Sequence, residues 1–540
     1  MKLRAHGWLW LFTVLIAHAV AAAEERREPL FDTLGDHRYP VTTDSALAQR
    51  YFDQGLRWTY AFNHAAAQRA FREAQRLDPH CAMCFWGEAL VLGPNINASM
   101  APETAPAARA AVSVAQGLAD GASPRERALI AALAVRYWAD QPRSTLDRAY
   151  AEAMSQVHAR FPADHDIAVL CADAIMNTRP WDYWEADGQT PKDGVAAAIR
   201  AVEQVLAEDP DHVGAIHLYI HLTEASATPE RAEPYANRLA RLMPGAGHIV
   251  HMGAHTYTQV GRFRETVELN KKAVAADEAY FAMVEDHSLW RYGYHPHNIH
   301  YVVMGAFMVG DATTALDYAA RLQDRIPDEV AAEIGWIQAI RQAPYFVAAH
   351  LADPRTTLDL ADPGDTFPFV KAMWHYARGV AYARLAESDQ AAAEAAAIEA
   401  IAGRRDVTYP ADIAPAANDV IRIAGLVVRG RIAQSRGEWD DAVMRFQAAV
   451  EIQDALPYLE PPLWYYPVRQ SLGAALMQAG KPKEAERVFR QSLKQVPGNG
   501  WALYGLLQTQ KALGETQAAT GTAERFKAVW VGQPPELGRL

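Results

Sequence analysis

Small, aromatic and proline positions recur along the chain at constant intervals, between stretches rich in Ala, Leu, Glu, Gln and Arg. A glycine is followed by alanine 12 residues later and by phenylalanine 16 residues later. Three copies of this pattern are Gly55, Ala67 and Phe71; Gly430, Ala442 and Phe446; and Gly473, Ala485 and Phe489. Small residues let two helices touch, and the aromatic ring fills the gap between them. Proline, as at Pro79 and Pro497, ends the second helix. The pattern predicts successive antiparallel helical hairpins.

These intervals resemble those of the tetratricopeptide repeat (TPR), a helical hairpin with a period of about 34 residues. Pro210 and Pro244, which the pattern places at the ends of two successive hairpins, lie 34 residues apart. The resemblance implies an all-α, TPR-like α-solenoid of antiparallel helical hairpins that is curved. Residues 353–368 (DPRTTLDLADPGDTFP) break the repeat register and predict a linker between two lobes. The expected domains are a signal peptide (1–23), an N-terminal arm (24–45), a TPR-like lobe (46–350) and a C-terminal TPR-like lobe (351–540).

The first residues, MKLRAHGWLWLFTVLIAHAVAAAEE, have the composition of a secretory signal. Lys2 and Arg4 precede an apolar stretch from Gly7 to Val20, and small residues end before Glu24. We therefore expect cleavage, a periplasmic or secreted protein, and no stable membrane span in the mature chain. The whole chain has 52 Lys and Arg against 64 Asp and Glu, a net charge of −12, with no dense basic run. This balance disfavours nucleic acid as a partner.

Histidines are concentrated in three short segments: AIHLYIHLTE, GHIVHMGAH and HPHNIHY. Their spacings of three, four and seven residues place the side chains of each segment on one face of a helix. The residues concerned are His217, His221 and Glu224; His248, His251 and His255; and His297 and His300. TPR counting assigns all three segments to the first helices of repeats, and the resemblance implies that such helices line the concave surface. Seven histidines and one carboxylate would then point into one groove.

TPR counting also gives each histidine a position within its repeat. His217, His251 and His300 share the fifth position, His221 and His255 the ninth, His248 and His297 the second, and Glu224 holds the twelfth. We expect His217, His221, His251, His255 and His300 to converge on one site. His248 and His297, one turn earlier, would lie at its rim.

Imidazole is a ligand for zinc, copper and iron, and a carboxylate can complete the coordination sphere. The pattern therefore predicts a transition metal ion (Zn, Cu or Fe) bound by the seven histidines. Glu224 and Asp173 are the candidate catalytic carboxylates, as ligand or base. Two alternatives remain open: a metal-free catalytic or acid-binding site, and polar packing of the wall. The chain contains no HExxH, GxSxG, Walker A or dinucleotide GxGxxG signature, so any enzymatic chemistry must be built on the histidines.

Further segments resemble a group of secreted bacterial TPR proteins for which we know no established activity. These are CAMCFWGEALVLGPNIN (81–97), TRPWDYW (178–184), the three histidine segments, WHYARG (374–379) and DALPYLEPPLWYYPVRQSLGAAL (454–476). One departure is HMGAH at 251–255, where the group resembles HMPSH; both histidines are kept.

Two functions follow as hypotheses. The first is an exported metalloprotein, or metalloenzyme, acting on a small molecule or peptide in the concave groove. The alternative is a non-enzymatic TPR scaffold that binds a protein partner, because TPR folds are mostly interaction modules. Cys81 and Cys84 are expected to form a disulfide or to remain inert thiols, rather than to bind metal. Tyr458 and Glu460 are expected on a loop that folds over the groove.

Overall fold

The computed structural model describes residues 28–138, 141–322, 325–404, 408–410 and 413–540, the side chain of Pro415 aside. These ranges contain 25 α-helices and no β-strand, with isolated bridges only between Asn95 and Ala98 and between Trp184 and Pro191. The predicted all-α class is confirmed. No helix in the described ranges is long and apolar enough to cross a membrane. The predicted signal peptide, residues 1–23, lies outside the described residues.

Backbone contacts divide the chain into two units, which meet between Pro180 and Trp181. The helices described in unit 1 are α1 (Ala46–Tyr60), α2 (His64–Leu77), α3 (Ala82–Val91), α4 (Ala105–Gly117), α5 (Pro124–Val135), α6 (Arg143–Arg160) and α7 (His165–Met176). Each helix packs on the next one along the chain. Turns as short as the one at Asn63 connect packed neighbours, so these pairs are antiparallel hairpins.

Polar side chains begin several helices of unit 1. Asn63 accepts a hydrogen bond from the backbone N–H of Ala66, which satisfies a free donor in the first turn of α2.

Cys81 and Cys84 form a disulfide at the start of α3, one of the two states expected for them. The described part of the predicted N-terminal arm lies against α1, where the backbone N–H of Tyr39 donates to Asp53.

Unit 2 begins at Trp181 and contains the remaining helices. They are α8 (Val195–Glu208), α9 (Val213–Thr223), α10 (Glu233–Leu242), α11 (Gly247–Gln259), α12 (Phe263–Met283), α13 (His295–Met308), α14 (Ala312–Ala320), α15 (Asp328–Glu333), α16 (Gly335–Leu351), α17 (Pro354–Leu358), α18 (Pro368–Arg384), α19 (Ser388–Ala402), α20 (Ala414–Ser435), α21 (Trp439–Asp454), α22 (Val468–Gln478), α23 (Pro482–Gln495), α24 (Gly500–Leu513) and α25 (Thr516–Val529). A π-helical turn, Trp290–Tyr294, leads directly into α13.

The recurring glycine and phenylalanine pack as the sequence pattern requires. A Cβ atom added at Gly473 would lie 2.6 Å from the Phe489 ring, and one added at Gly505 would lie 2.2 Å from it. Phe489 of α23 is therefore held between first helices of two successive hairpins, α22 and α24. Phe71 lies in the same way between Gly55 and Gly87 in unit 1. Only a residue without a side chain allows this close approach, which explains the interval pattern.

The division into units lies far from the lobe boundary expected near residue 350. One hydrophobic core extends from Ala254 to Leu540, and α16 packs on α18 across the expected boundary. Residues 353–368, expected as a linker, include the short helix α17, which packs on α18, and Phe367, which belongs to the same core. The two predicted lobes stay a prediction.

Candidate metal centre

Three neighbouring helices of unit 2 carry the predicted histidines: α9 packs on α11, and α11 packs on α13. All seven are between 0% and 7% exposed: His217, His221, His248, His251, His255, His297 and His300. The loop between α21 and α22 brings Tyr458 to Glu224, and Glu460 to His255 and His297, in keeping with the loop expected to fold over the groove.

The histidines form two groups of three. Triad A consists of His251, His255 and His297, and triad B consists of His217, His221 and His248. Within each triad, one ring nitrogen of every histidine lies within 4.8 Å of a ring nitrogen of the other two histidines. The ring centroids of His251 and His297 are 4.8 Å apart, and those of His217 and His248 are 5.0 Å apart. Each triad can therefore present three imidazole nitrogens to one ion.

The structure differs from the expected ranking of these residues. His248 and His297 are members of the triads, whereas the expectation placed them at the rim. His300, expected at the centre, packs against Tyr465 at a centroid distance of 5.6 Å, and neither of its ring nitrogens has a hydrogen-bond partner among the described residues. The reason is helix stagger: the fifth position of one first helix meets the second position of the next, not its fifth.

His251 and His255 face each other across triad A, with their Nε2 atoms 2.7 Å apart. The Nδ1 atom of His251 lies 2.6 Å from Oδ1 of Asn270. Asn270 uses its NH₂ group to donate to the carbonyl of Thr266, so its Oδ1 accepts and His251 carries its proton on Nδ1. The Nδ1 atom of His255 lies 2.7 Å from Oε2 of Glu224, which is likewise an acceptor. In their neutral forms both rings therefore direct a lone pair from Nε2 at the same point.

Glu224 lies between the two triads at the end of α9. Its Oε1 accepts from Nδ1 of His221 at 2.8 Å, and its Oε2 accepts from His255 and from the Tyr458 hydroxyl, the latter at 2.9 Å. Burial opposes ionisation of Glu224, but the charge of His255 and the hydrogen bonds from His221 and His255 outweigh it and lower the pKa of the carboxyl. Glu224 is therefore an anion that orients one imidazole of each triad.

A second carboxyl group, Glu460, reaches triad A from the loop between α21 and α22. Its Oε2 lies 3.1 Å from Nδ1 of His255 and 3.9 Å from Nε2 of His297, and it accepts a hydrogen bond from the Tyr301 hydroxyl. Burial raises the pKa of Glu460; the attraction of His255 opposes that shift, and repulsion by Glu224 adds to it. Bound positive charge in triad A would favour the ionised form of this carboxyl.

Burial also affects the pKa values of the imidazoles. It lowers the pKa of His248, His251 and His297 well below the usual histidine value, and the neighbouring histidines lower it further. Burial lowers the pKa of His255 as well, but attraction by Glu460 and Glu224 outweighs this effect and raises it. Burial lowers the pKa of His221 too, so four of the six triad members favour the neutral imidazole, which is the form that binds metal ions.

The other predicted carboxylate, Asp173, lies on α7 in unit 1 and is half-buried. Burial raises the pKa of Asp173 to about 6, although the charge of Arg136 opposes the shift. Its role as a catalytic carboxylate stays a prediction. Glu224, in contrast, lies against triad A and triad B, where it orients ring nitrogens.

Sequence reasoning missed two residues of the site. Tyr301 follows His297 by one helical turn, and its ring centroid lies 4.5 Å from that of His251. The i, i+4 spacing was a signal that could have found it. Asn270 lies on the second helix α12, where nothing in the local pattern distinguishes it from an ordinary polar residue; only the packing of α12 on α11 brings it to His251.

The donor set suits a late first-row transition metal. Three imidazoles with a fourth position near a carboxylate fit zinc, copper or iron, and zinc–nitrogen distances are about 2.0–2.1 Å. Donation of Nδ1–H to an amide oxygen or a carboxylate is the usual way in which proteins orient a metal-binding histidine. Triad A has both partners, Asn270 and Glu224. A bound metal would supply Lewis acidity at this point.

The sequence matches the family model described as a tetratricopeptide repeat over residues 476–525. A comparison with curated proteins found no match. Among solved structures, a human IFIT1 dimer with m7Gppp-AAAA is 11% identical, with 90% of this chain and 91% of that chain covered, at a TM-score of 0.32. The TPR domain of P58(IPK) is 14% identical, with 64% of this chain and 91% of that chain covered, at a TM-score of 0.20.

The matched repeat includes Ala485, Phe489 and Gly505, residues whose close packing is described above. The repeat family predicted from the intervals is thus confirmed, and the buried histidine groups could hold a metal ion. Residues 476–525 are thus recognised as a tetratricopeptide repeat.

Proposed function

We propose that this protein binds a transition metal ion in triad A, through Nε2 of His251, His255 and an imidazole nitrogen of His297. One observation carries the proposal: two Nε2 atoms lie 2.7 Å apart while both opposite nitrogens are occupied by acceptors. Because the pKa of His255 is raised, a proton on its Nε2 can bridge the two nitrogens, and a metal ion would take the place of that proton. The metal ion would gain a third ligand from His297.

Several features favour a metal over a proton alone in triad A. Glu224 provides negative charge beside three buried imidazoles, and a bound cation would favour ionisation of Glu460. Both carboxyl groups are held by tyrosine hydroxyls. These carboxyl groups offset the free energy that is needed to move a cation from water into the buried site. The site is covered by the loop between α21 and α22, so a small molecule or peptide would reach the metal only after that loop moves.

The test is metal analysis of the mature protein, purified without a histidine tag and measured by plasma mass spectrometry. We expect a transition metal in the isolated protein, or uptake of Zn²⁺ after removal of metal with a chelator. The variant His255→Ala should lose the Zn²⁺ bound in triad A with unchanged helicity, whereas His287→Ala, which removes an exposed histidine paired with Glu285, should take up as much Zn²⁺ as the wild type. A wild-type protein that neither contains metal nor binds Zn²⁺ would reduce triad A to a hydrogen-bonded network.

The scaffold function is the second candidate, and the TPR match at residues 476–525 supports it because TPR proteins commonly bind other proteins. It requires no metal. A metal-free wild type that still binds a peptide partner would therefore favour the scaffold.

We also propose that the protein is exported. The apolar stretch between Lys2 and Glu24 supports cleavage and translocation, and the disulfide between Cys81 and Cys84 fits an oxidising compartment. Cell fractionation and N-terminal sequencing of the native protein test this proposal. A chain that stays in the cytoplasm and keeps Met1 would contradict it.

A further inference from the structure

Triad B is a second cluster of buried imidazoles that the proposed function does not use. His217 and His221 lie one turn apart on α9 with ring centroids 4.9 Å apart, and His248 on α11 lies 5.0 Å from His217. All three are 1% exposed, and their ligand atoms fall within the same 4.8 Å limit as those of triad A.

The two triads are repeat-equivalent. Triad A takes two histidines four residues apart from α11 and one from the start of α13; triad B takes two from α9 and one from the start of α11. His217 and His251 are 34 residues apart, as are His221 and His255. In each triad, the histidines at the fifth and ninth positions of one first helix meet the histidine at the second position of the next first helix. The same packing of successive first helices therefore brings together the same set of ligands twice.

The third copy of this construction is interrupted. His300 holds the fifth position of α13, but the ninth position is Met304, which is buried and offers no imidazole. The sequence therefore contains two complete triads and a third, incomplete one that is represented by His300 alone. The contrast explains why His300 is packed against Tyr465 rather than grouped with other histidines.

Aromatic rings enclose triad B. Tyr294 lies 4.4 Å from His248 and Trp181 lies 5.1 Å from His221, both measured between ring centroids. These rings exclude water and restrict the imidazoles, which strengthens electrostatic attraction between a cation and the nearby carboxylate. That carboxylate is Glu224, which accepts from His221 in triad B and from His255 in triad A.

We propose that triad B binds a second late first-row metal ion, and that Glu224 couples it to the ion in triad A. This inference rests on the proposed function, because it extends the same metal chemistry to the repeat-equivalent ligands. Glu224 hydrogen-bonds one ligand of each ion, so ordering that carboxylate by the first ion orders an imidazole of the second. The centre is a pair of adjacent metal sites joined by one outer carboxylate.

The experiment uses the mature, untagged protein, stripped of metal, dialysed against Zn²⁺ and analysed for zinc per chain. The wild type should bind two zinc ions. His248→Ala and His297→Ala should each bind one, and His300→Ala, the matched control on the same helix as His297, should bind two. Circular dichroism checks helicity, and His217→Ala replaces His248→Ala if the latter does not fold.

The results separate the two proposals. A wild type with one zinc ion that His248→Ala retains and His297→Ala loses would overturn the second site and leave triad A standing. A wild type without zinc would overturn both. Retention of two zinc ions by both His248→Ala and His217→Ala would also remove triad B from the metal site.

Coupling is tested by Glu224→Gln. Loss of an outer partner of a metal-binding histidine weakens metal binding by about 10–100-fold. We expect Glu224→Gln to weaken both zinc-binding events by that factor, whereas Asn270→Ala, which removes a partner from triad A alone, should have its main effect on one event. Unchanged affinity at either event in Glu224→Gln would show that the carboxylate does not join the sites.

Discussion

Tyr458 donates a hydrogen bond to Glu224 across 234 positions of the chain, at a distance of 2.9 Å. This bond attaches the loop between α21 and α22 to the end of α9. It also occupies Oε2, the same carboxylate oxygen that accepts from His255. The loop therefore contributes to the orientation of a predicted metal ligand although it carries no histidine itself.

Replacement of Tyr458 by Phe removes this donor and leaves the ring in place. Because Glu224 then holds His255 less firmly, we expect the Zn²⁺ affinity of triad A to fall by about tenfold. Competition with a chromophoric chelator measures the affinity. Tyr345→Phe is the control, since it removes an exposed hydroxyl that donates to the Ala361 carbonyl. Equal affinities of Tyr458→Phe and the wild type would contradict the prediction.

Asn270→Ala tests the opposite side of triad A. The substitution removes the acceptor that keeps the His251 proton on Nδ1, so the ring can present the wrong nitrogen to a metal. We expect Zn²⁺ affinity to drop by about 10-fold or more, measured by the same competition. Asn237→Ala removes an exposed amide whose oxygen accepts from Tyr257 and Arg262 rather than from a histidine, and it should have no effect. An effect as large in Asn237→Ala would point to general destabilisation.

Metal binding should stabilise the folded chain. A ligand that binds only the native state adds about 2.7 kcal/mol when present at about 100 times its dissociation constant. Thermal unfolding followed by circular dichroism should therefore shift to higher temperature with Zn²⁺ for the wild type and for His300→Ala. The shift should be smaller for His255→Ala. A chelator should reverse the wild-type shift, and an irreversible loss of signal would instead indicate zinc-induced aggregation.

Gly505→Ala tests the packing of the repeats. The added methyl group would lie 2.2 Å from the Phe489 ring, so the core must expand, at a cost of about 1–3 kcal/mol. Gly521→Ala, in the neighbouring helix α25, meets no described atom within 4 Å and should be neutral or stabilising by up to about 1 kcal/mol. Urea unfolding of both variants measures the free energy of unfolding. Opposite signs are expected, and equal losses would refute the packing argument.

The raised pKa of Asp173 implies that the stability of unit 1 depends on pH. Its pKa is raised to about 6 by burial, so the folded state binds a proton more tightly than the unfolded state, and stability falls as pH rises through that value. Asp173→Asn should therefore raise the melting temperature relative to the wild type more at about pH 7.5 than at about pH 4.5.

Glu126→Gln in the same unit should show the opposite sign. Burial opposes ionisation of Glu126, but hydrogen bonds from Thr42 and Ser123 outweigh it and lower the pKa. This group stabilises the fold at neutral pH and loses that contribution in acid. Its replacement should therefore cost more at about pH 7.5 than at about pH 4.5. The same sign in both variants would contradict the assignment of their environments.

The all-α class and the helical hairpins were predicted mainly from the periodic spacing of residues along the chain. The intervals between Gly473, Ala485 and Phe489 indicated helical hairpins because side chains at those spacings must meet when two helices pack. The i, i+4 spacing of His217 and His221, repeated at His251 and His255, placed each pair on one helix face because the helical period alone determines it. The repeat family, the all-α class and these paired histidines therefore needed no tertiary information.

Only the tertiary structure decided which histidines meet and which of them the loop with Tyr458 and Glu460 contacts. The stagger between first helices brings His248 to His217 and His297 to His251, and leaves His300 beside Tyr465. This offset depends on how whole helices pack, which no single segment encodes. Tyr458 and Glu460, which contact Glu224 and triad A, lie 150 and 152 residues after Met308, the last residue of α13. Contacts between segments so distant in the chain arise from the closure of unit 2 around one core, not from local sequence preference.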